Sequence, residues 1–195
     1  MLHSRVERFA RSANLQSLAD EVLDFGVRLT NADFGNVQLM NWKTGWLEIK
    51  AQRGFHDEFL NFFKWVRPDD GTACARAVQD HEAIIIEDVT ADRRFSPYLE
   101  IALRAGFRAV QSTPLVSTSG ALVGIVSTHF RRQHQPDASQ VRALKETGQI
   151  AADRIIALRA HRVGAEYEQL SSIKACRNAI LVADKLLNGR RTGKA

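Results

Sequence analysis

Residues 107–130 read FRAVQSTPLVSTSGALVGIVSTHF. Two runs rich in β-branched residues flank a Ser117-Thr118-Ser119-Gly120 turn, the pattern of a β-hairpin. Polar side chains sit at the same end of both runs. Gln111, Ser112 and Thr113 lie in the first, and Ser127, Thr128 and His129 in the second. A strand that served only the core would place apolar residues there, because burying polar groups without partners is costly. The hairpin therefore predicts a sheet with a face that meets something other than hydrocarbon.

Reading outward, residues 4–30 carry apolar side chains at three- and four-residue steps and predict a helix. Phe34–Met40 alternates, with Val37 and Leu39 pointing one way and Asn36 and Gln38 the other. A turn at 41–45 leads to a returning strand, Trp46–Arg53. His56–Trp65 reads as a short aromatic helix, and Thr72 can cap a helix running to about Gln79. Ala83–Ile86 reads as a strand buried on both sides. Pro97 suits the first position of a helix that ends at Gly106. After the hairpin, Asp137 or Ser139 starts a long helix with an apolar stripe from Val141 to Leu158, and the helical pattern resumes beyond Gly164. Consecutive strands joined by short turns imply an antiparallel sheet. The expected fold is an α+β three-layer domain with five to six strands. Long N- and C-terminal helices cover one face, and short helices and loops cover the other.

The bulk properties narrow the function. The 195 residues are 45% hydrophobic and 25% charged, ordinary for a globular protein. No apolar run approaches the ~18–20 residues that cross a bilayer. The basic N-terminus lacks a signal-peptide core, so a cytoplasmic location and no membrane partner are expected. Cys74 and Cys176 form no CxxC and no Cys/His cluster, which excludes the usual zinc spacings. The net charge of +5 belongs entirely to residues 159–195, since residues 1–158 carry 19 Lys/Arg and 19 Asp/Glu. The body therefore shows no nucleic-acid footprint. The basic C-terminal helix offers a docking site for a protein partner. No nucleophile elbow, phosphate loop or metal motif occurs. Only 34 residues follow His161, too few for the ATP-binding domain of a histidine kinase, so no kinase domain is expected in this chain.

Five segments carry a resemblance: FGNVQLMN (34–41), LEIKAQRGF (47–55), DDGTACARAVQDHEAIIIEDV (69–89), TADRRFSPYLEIALRAGFRAVQSTPLV (90–116) and GALVGIVSTHF (120–130). Their order and spacing resemble a GAF domain, a PAS-related sensor module, most like those of bacterial sensor histidine kinases. The resemblance spans Leu15 to Leu158. It implies a lead-in at 1–14, a sensor domain at 15–160, a helical extension at 161–189 and a disordered tail at 190–195. It also implies a ligand pocket on the sheet face opposite the long helices, and a homodimer through those helices. The residues expected at that interface are Leu18, Val22, Phe25, Leu144, Ala151, Ile155 and Leu158.

Candidate ligand contacts follow from this frame. On the sheet they are Asn36, Gln38, Gln111, Thr113, Ser127 and His129, with strand parity open because one bulge reverses it. In the roof they are Asp88, Arg94, Phe95 and Tyr98, where an Arg beside an aromatic ring can hold an anion. Cys74 stands near a helix N-terminus, where a thiol can be activated. The Cys-His pair of bilin-binding relatives is missing, since Ala75 follows Cys74. His129 has no companion ligand for haem. The signature of cyclic-nucleotide-binding relatives survives only around Asp92 and Phe95, which leaves a cyclic nucleotide as an open option and the ligand unknown. The expected function is non-catalytic: small-molecule sensing, passed on through the terminal helices. The alternatives are a dimerisation module with a vestigial pocket, and a thiol-based redox sensor or enzyme using Cys74.

Overall fold

The computed structural model describes residues 7–9 and 11–189, with side chains described up to 162 and at 164. The expected disordered tail at 190–195 and the side chains of the basic extension lie outside the described residues. Contacts divide the chain into two units, 1–156 and 157–195.

Helix α1 spans Leu15–Thr30. It does not run on from residue 4 as its periodicity predicts, because Asn14 caps it. The Asn14 carboxamide oxygen accepts from the Ser17 backbone N–H at 2.9 Å, and the Ser17 hydroxyl reciprocates at the Asn14 N–H. That capping box satisfies donors that helix ends leave orphaned. Asn31 ends the helix in the left-handed conformation, φ 53°. Leu18, Val22 and Leu23 are buried, and the helix packs on three strands. Burying each such side chain fully stabilises by about 1.5–3 kcal/mol.

Those strands are β1 (Phe34–Met40), β2 (Leu47–Arg53) and β6 (Leu122–Phe130). The remaining three are β3 (Trp65–Val66), β4 (Ile84–Ile86) and β5 (Ala109–Val116). The six form one antiparallel sheet in the order β3-β2-β1-β6-β5-β4. Two strand predictions are corrected here. The end of the expected 56–65 helix is strand β3, which pairs Trp65 with Glu48 and Val66 with Leu47. β4 is an edge strand with Ile85 38% exposed, and not a strand buried on both sides.

Close approaches set the layer spacing. A Cβ on Gly35 would lie 2.8 Å from Leu23 Cδ1 and 2.9 Å from Val27 Cγ2, so α1 seats against bare backbone. A Cβ on Gly124 would overlap the Gln38 carbonyl oxygen, which keeps β6 tight against β1.

The opposite face carries the short elements: α2 (Asp57–Phe62), α3 (Ala73–Asp80), a 3-10 turn at Ser96–Tyr98 and α4 (Leu99–Ala105). Helix α5 spans Ala138–Gly189 without a break at Gly164. In the first unit, its Gly148 sits where a Cβ would lie 3.2 Å from Leu115 of β5. In the second unit, residues 157–189 continue as helix. No helix among the described residues is long and apolar enough to cross a membrane.

Six of the seven residues expected at a dimer interface are buried within the single chain. Leu18, Val22, Phe25, Leu144, Ala151 and Ile155 are each at most 5% exposed in the single chain, and Leu158 is half-buried. The six buried positions, all in the first unit, belong to its core.

Candidate functional site

The hairpin pairing decides which polar residues share a face. Ser112 stands opposite Ser127, and Gln111 opposite Thr128. Ser112 and Ser127 therefore project together, and their hydroxyls hydrogen-bond at 2.8 Å. On the neighbouring strand, Asn36 pairs with Ser127, while Gln38 pairs with Ile125. Asn36, Gln38, Ser112, Ser127 and His129 thus form a polar floor across β1, β6 and β5. Each is at most 5% exposed.

A wall of rings closes over this floor. Phe59 comes from α2, Phe63 from just beyond it, Phe95 from the loop before the 3-10 turn, and Phe107 from the approach to β5. Thr72, Ala73 and Cys74 at the start of α3 complete it. The enclosed space is small. About 30 Å³ is open to the centres of water-sized molecules, room for a water or two.

Three buried atoms at this cavity lack a hydrogen-bond partner: Asn36 Oδ1, Gln38 Oε1 and His129 Nδ1. Buried polar atoms are almost always paired, so three orphans in one cavity call for an explanation. His129 is ringed edge-on by Phe55, Phe59 and Phe107, with centroids at 4.9, 6.1 and 4.7 Å. Burial lowers its pKa from 6.5 to about 3, so the imidazole is neutral. Burial likewise raises the Cys74 thiol above its usual value, outweighing the Thr72 hydroxyl at 3.3 Å. A thiol so shifted stays protonated at neutral pH. Burial thus opposes the activation that a helix N-terminus can give a thiol.

The roof is pinned from outside. Arg76 of α3 pairs with Asp92 at 2.7 Å, both largely buried. The second Asp92 oxygen accepts from the N–H groups of Arg94 and Phe95 at 2.9 and 3.0 Å. Burial opposes ionisation of Asp92, but the Arg76 hydrogen bond and charge win and hold its pKa low. Asp92→Ala should release Phe95. It should cost about 2 kcal/mol, the scale of a charge-assisted hydrogen bond, with faster hydrogen exchange at residues 93–96. Unchanged exchange there would mean that the loop is held by packing alone.

The sequence-predicted contacts divide. Asn36, Gln38, Cys74, Phe95, Ser127 and His129 line the cavity. Gln111 and Thr113 do not: alternation puts them on the helix-facing side, where the Gln111 amide donates to the Thr113 hydroxyl at 3.2 Å. Asp88 lies outside, bound to Arg108 at 2.6 Å and to Gln133. These partners hold its carboxyl well below the usual range. Arg94 is exposed and does not line the cavity. Tyr98 is half-buried and packs behind the wall on Phe63 and Phe95. Phe59, Phe63, Phe107 and Ser112 were not among the sequence candidates. The aromatic richness of residues 55–63 was the signal for the first two. Ser112 needed the hairpin register. Among the described residues no group of three or more His, Cys, Asp or Glu could hold a metal ion.

A six-stranded antiparallel sheet with long helices on one face and a roofed polar cavity on the other defines a class of small α+β domain built around an interior site. The GAF domain family model matches residues 12–155. The chain belongs to the GAF family. GAF domains are in general regulatory or sensory. Among solved structures, the chain is similar to a domain of a two-component sensor histidine kinase protein from Sinorhizobium meliloti. Identity is 21%, coverage 79% of this chain and 99% of that one, and TM-score 0.63. It is also similar to a phosphotransferase GAF domain from Coxiella burnetii, with 14% identity, 83% and 94% coverage and TM-score 0.71. A third is free methionine-R-sulfoxide reductase from Neisseria meningitidis, with 16% identity, 82% and 89% coverage and TM-score 0.63. At these identities the likeness is one of fold. Among curated proteins no relative matches.

Proposed function

We propose that this chain is a non-catalytic sensor module of a signal-transduction system. A small molecule binds between the polar floor and the aromatic roof, and the response leaves through α1 and α5. The observation that carries the reading is the set of three unpartnered buried polar atoms facing one cavity. A ligand that supplies donors or acceptors at these atoms gains hydrogen bonds there. The strands that form the floor also carry the long helices: Ser112 meets the cavity, while Leu115 of the same strand meets α5. A ligand that spreads β5 and β6 therefore biases where the helices sit, a population shift between two arrangements.

Catalysis by Cys74 is disfavoured by its protonated, desolvated thiol. The test is thermal unfolding of the purified chain in fractions of a small-metabolite extract. Ligand binding to the folded state raises Tm. A rise in the wild type that disappears in Ser112→Leu, which fills the floor, supports the reading. No rise in any fraction, or an equal rise in the variant, would sink it.

A further inference from the structure

Resting on that small-molecule reading, we infer that the cavity takes an uncharged, flat, ring-bearing molecule that donates hydrogen bonds, a phenol or an N–H heterocycle rather than an anion. Three observations converge.

The first is charge. Every side chain around the cavity is uncharged, with His129 neutral and Cys74 protonated. The two arginines beside the roof are engaged, Arg76 with Asp92 and Arg108 with Asp88. A phosphate or carboxylate entering here would lose its water and gain no cation, a cost that buried charges rarely survive unpaired. The roof arginine that could have answered an anion, Arg94, points to solvent.

The second is the sign of the unmet hydrogen bonds. Asn36 Oδ1 and Gln38 Oε1 are acceptors, and neutral His129 Nδ1 joins them in the tautomer that carries its proton on Nε2. They ask for a ligand with O–H or N–H groups. Asn36 and Ser127 are paired across β1 and β6, and His129 follows two residues along the same face. The acceptors thus lie along one edge of the floor, as the donors of a flat molecule would require.

The third is shape and surface. Phe59, Phe63, Phe95 and Phe107 supply ring faces and edges, the surroundings in which aromatic rings pack best. The closed cavity holds only a water or two, and a benzene-sized guest needs a cavity of about 150 Å³. Entry therefore requires the wall to part. The short helix α2, which has no side-chain cap, is the element placed to move.

The experiment titrates the full chain with phenol and indole, and with benzoate and anisole as matched controls, followed by NMR of the side-chain amides of Asn36 and Gln38. Benzoate carries the charge, and anisole lacks the donor. Phenol or indole should bind at least about tenfold more tightly than either control, each tenfold being the scale of one good hydrogen bond. His129→Phe and Gln38→Leu keep the cavity apolar and remove an acceptor, so the preference for phenol over anisole should shrink. Ser112→Leu should abolish binding. Tighter binding of benzoate overturns the uncharged class, and equal binding of anisole overturns the donor requirement. If metabolite fractions stabilise the chain while phenol and indole leave it unmoved, the ligand class is wrong and the sensor reading stands. If neither acts, both fall.

Discussion

Lowering the pH from 7 to 5 should cost the folded chain about 2 kcal/mol through His129 alone. Its folded pKa is about 3, depressed from 6.5 by burial against phenylalanine rings. Between these values the unfolded chain binds a proton that the folded chain refuses. Stability therefore rises with pH across that window and is lost as pH falls below about 6.5. Each unit of pH inside the window is worth about 1.4 kcal/mol. Asp88 also has a depressed pKa, but its contribution is lost only as pH drops below the ordinary carboxylate range, near 4. The two groups thus act in separable windows. Urea unfolding at pH 7, 6 and 5 reads the His129 slope, and His129→Phe should flatten it. Should that variant fail to fold, the ring of His129 followed by NMR in the native protein should show no protonation above pH 4. Stability that is level from pH 7 to 5 would mean that water reaches the ring.

How much of this site was legible in the sequence follows from what each feature depends on. The hairpin and strand β1 rest on local periodicity and appeared where the pattern put them, while the long helices kept their stripes but shifted their bounds, α1 starting at Leu15 and α5 running on through Gly164. The polar identity of the floor was also local: Asn36 and Gln38 alternate with apolar neighbours on β1, and Ser127 and His129 stand two residues apart on β6. What failed depended on pairing between strands. Ser112 shares a face with Ser127 because the hairpin register sets them opposite, and the neighbouring Gln111 and Thr113 turn to the helices for the same reason. The irregularity between Leu115 and Val116 enters that register and has no sequence marker. Strand β3 is two residues long and exists through its pairing with β2, so the aromatic pattern before it masked it. The buried stripe of α1 is covered by the sheet, because Gly35 lets that helix seat against bare backbone. The unpaired acceptors were beyond reach altogether, since pairing is a property of the folded neighbourhood.

The largest single-residue effect is expected at Phe107, which belongs to core and pocket at once. It is 2% exposed, and its ring stands 4.7 Å from His129, 6.1 Å from Phe59, 6.3 Å from Phe55 and 6.4 Å from Phe95. Phe107→Ala removes the hub of this cluster and leaves a hole beside an existing cavity. Phenylalanine-to-alanine changes at such sites cost about 3–5 kcal/mol. For a chain of this size about 1 kcal/mol moves Tm by ~2–4 °C, so Tm should fall by roughly 10 °C. Phe62 is 53% exposed, and Phe62→Ala should cost well under half as much. The hole itself separates a core role from a pocket role. It opens onto the polar floor, so benzene should enter the Phe107→Ala cavity and restore part of the lost Tm, while leaving Phe62→Ala unmoved. A small loss of Tm would mean that the aromatic wall collapses to fill the gap. A large loss with no rescue by benzene would mean that Phe107 supports the core but is sealed from the cavity.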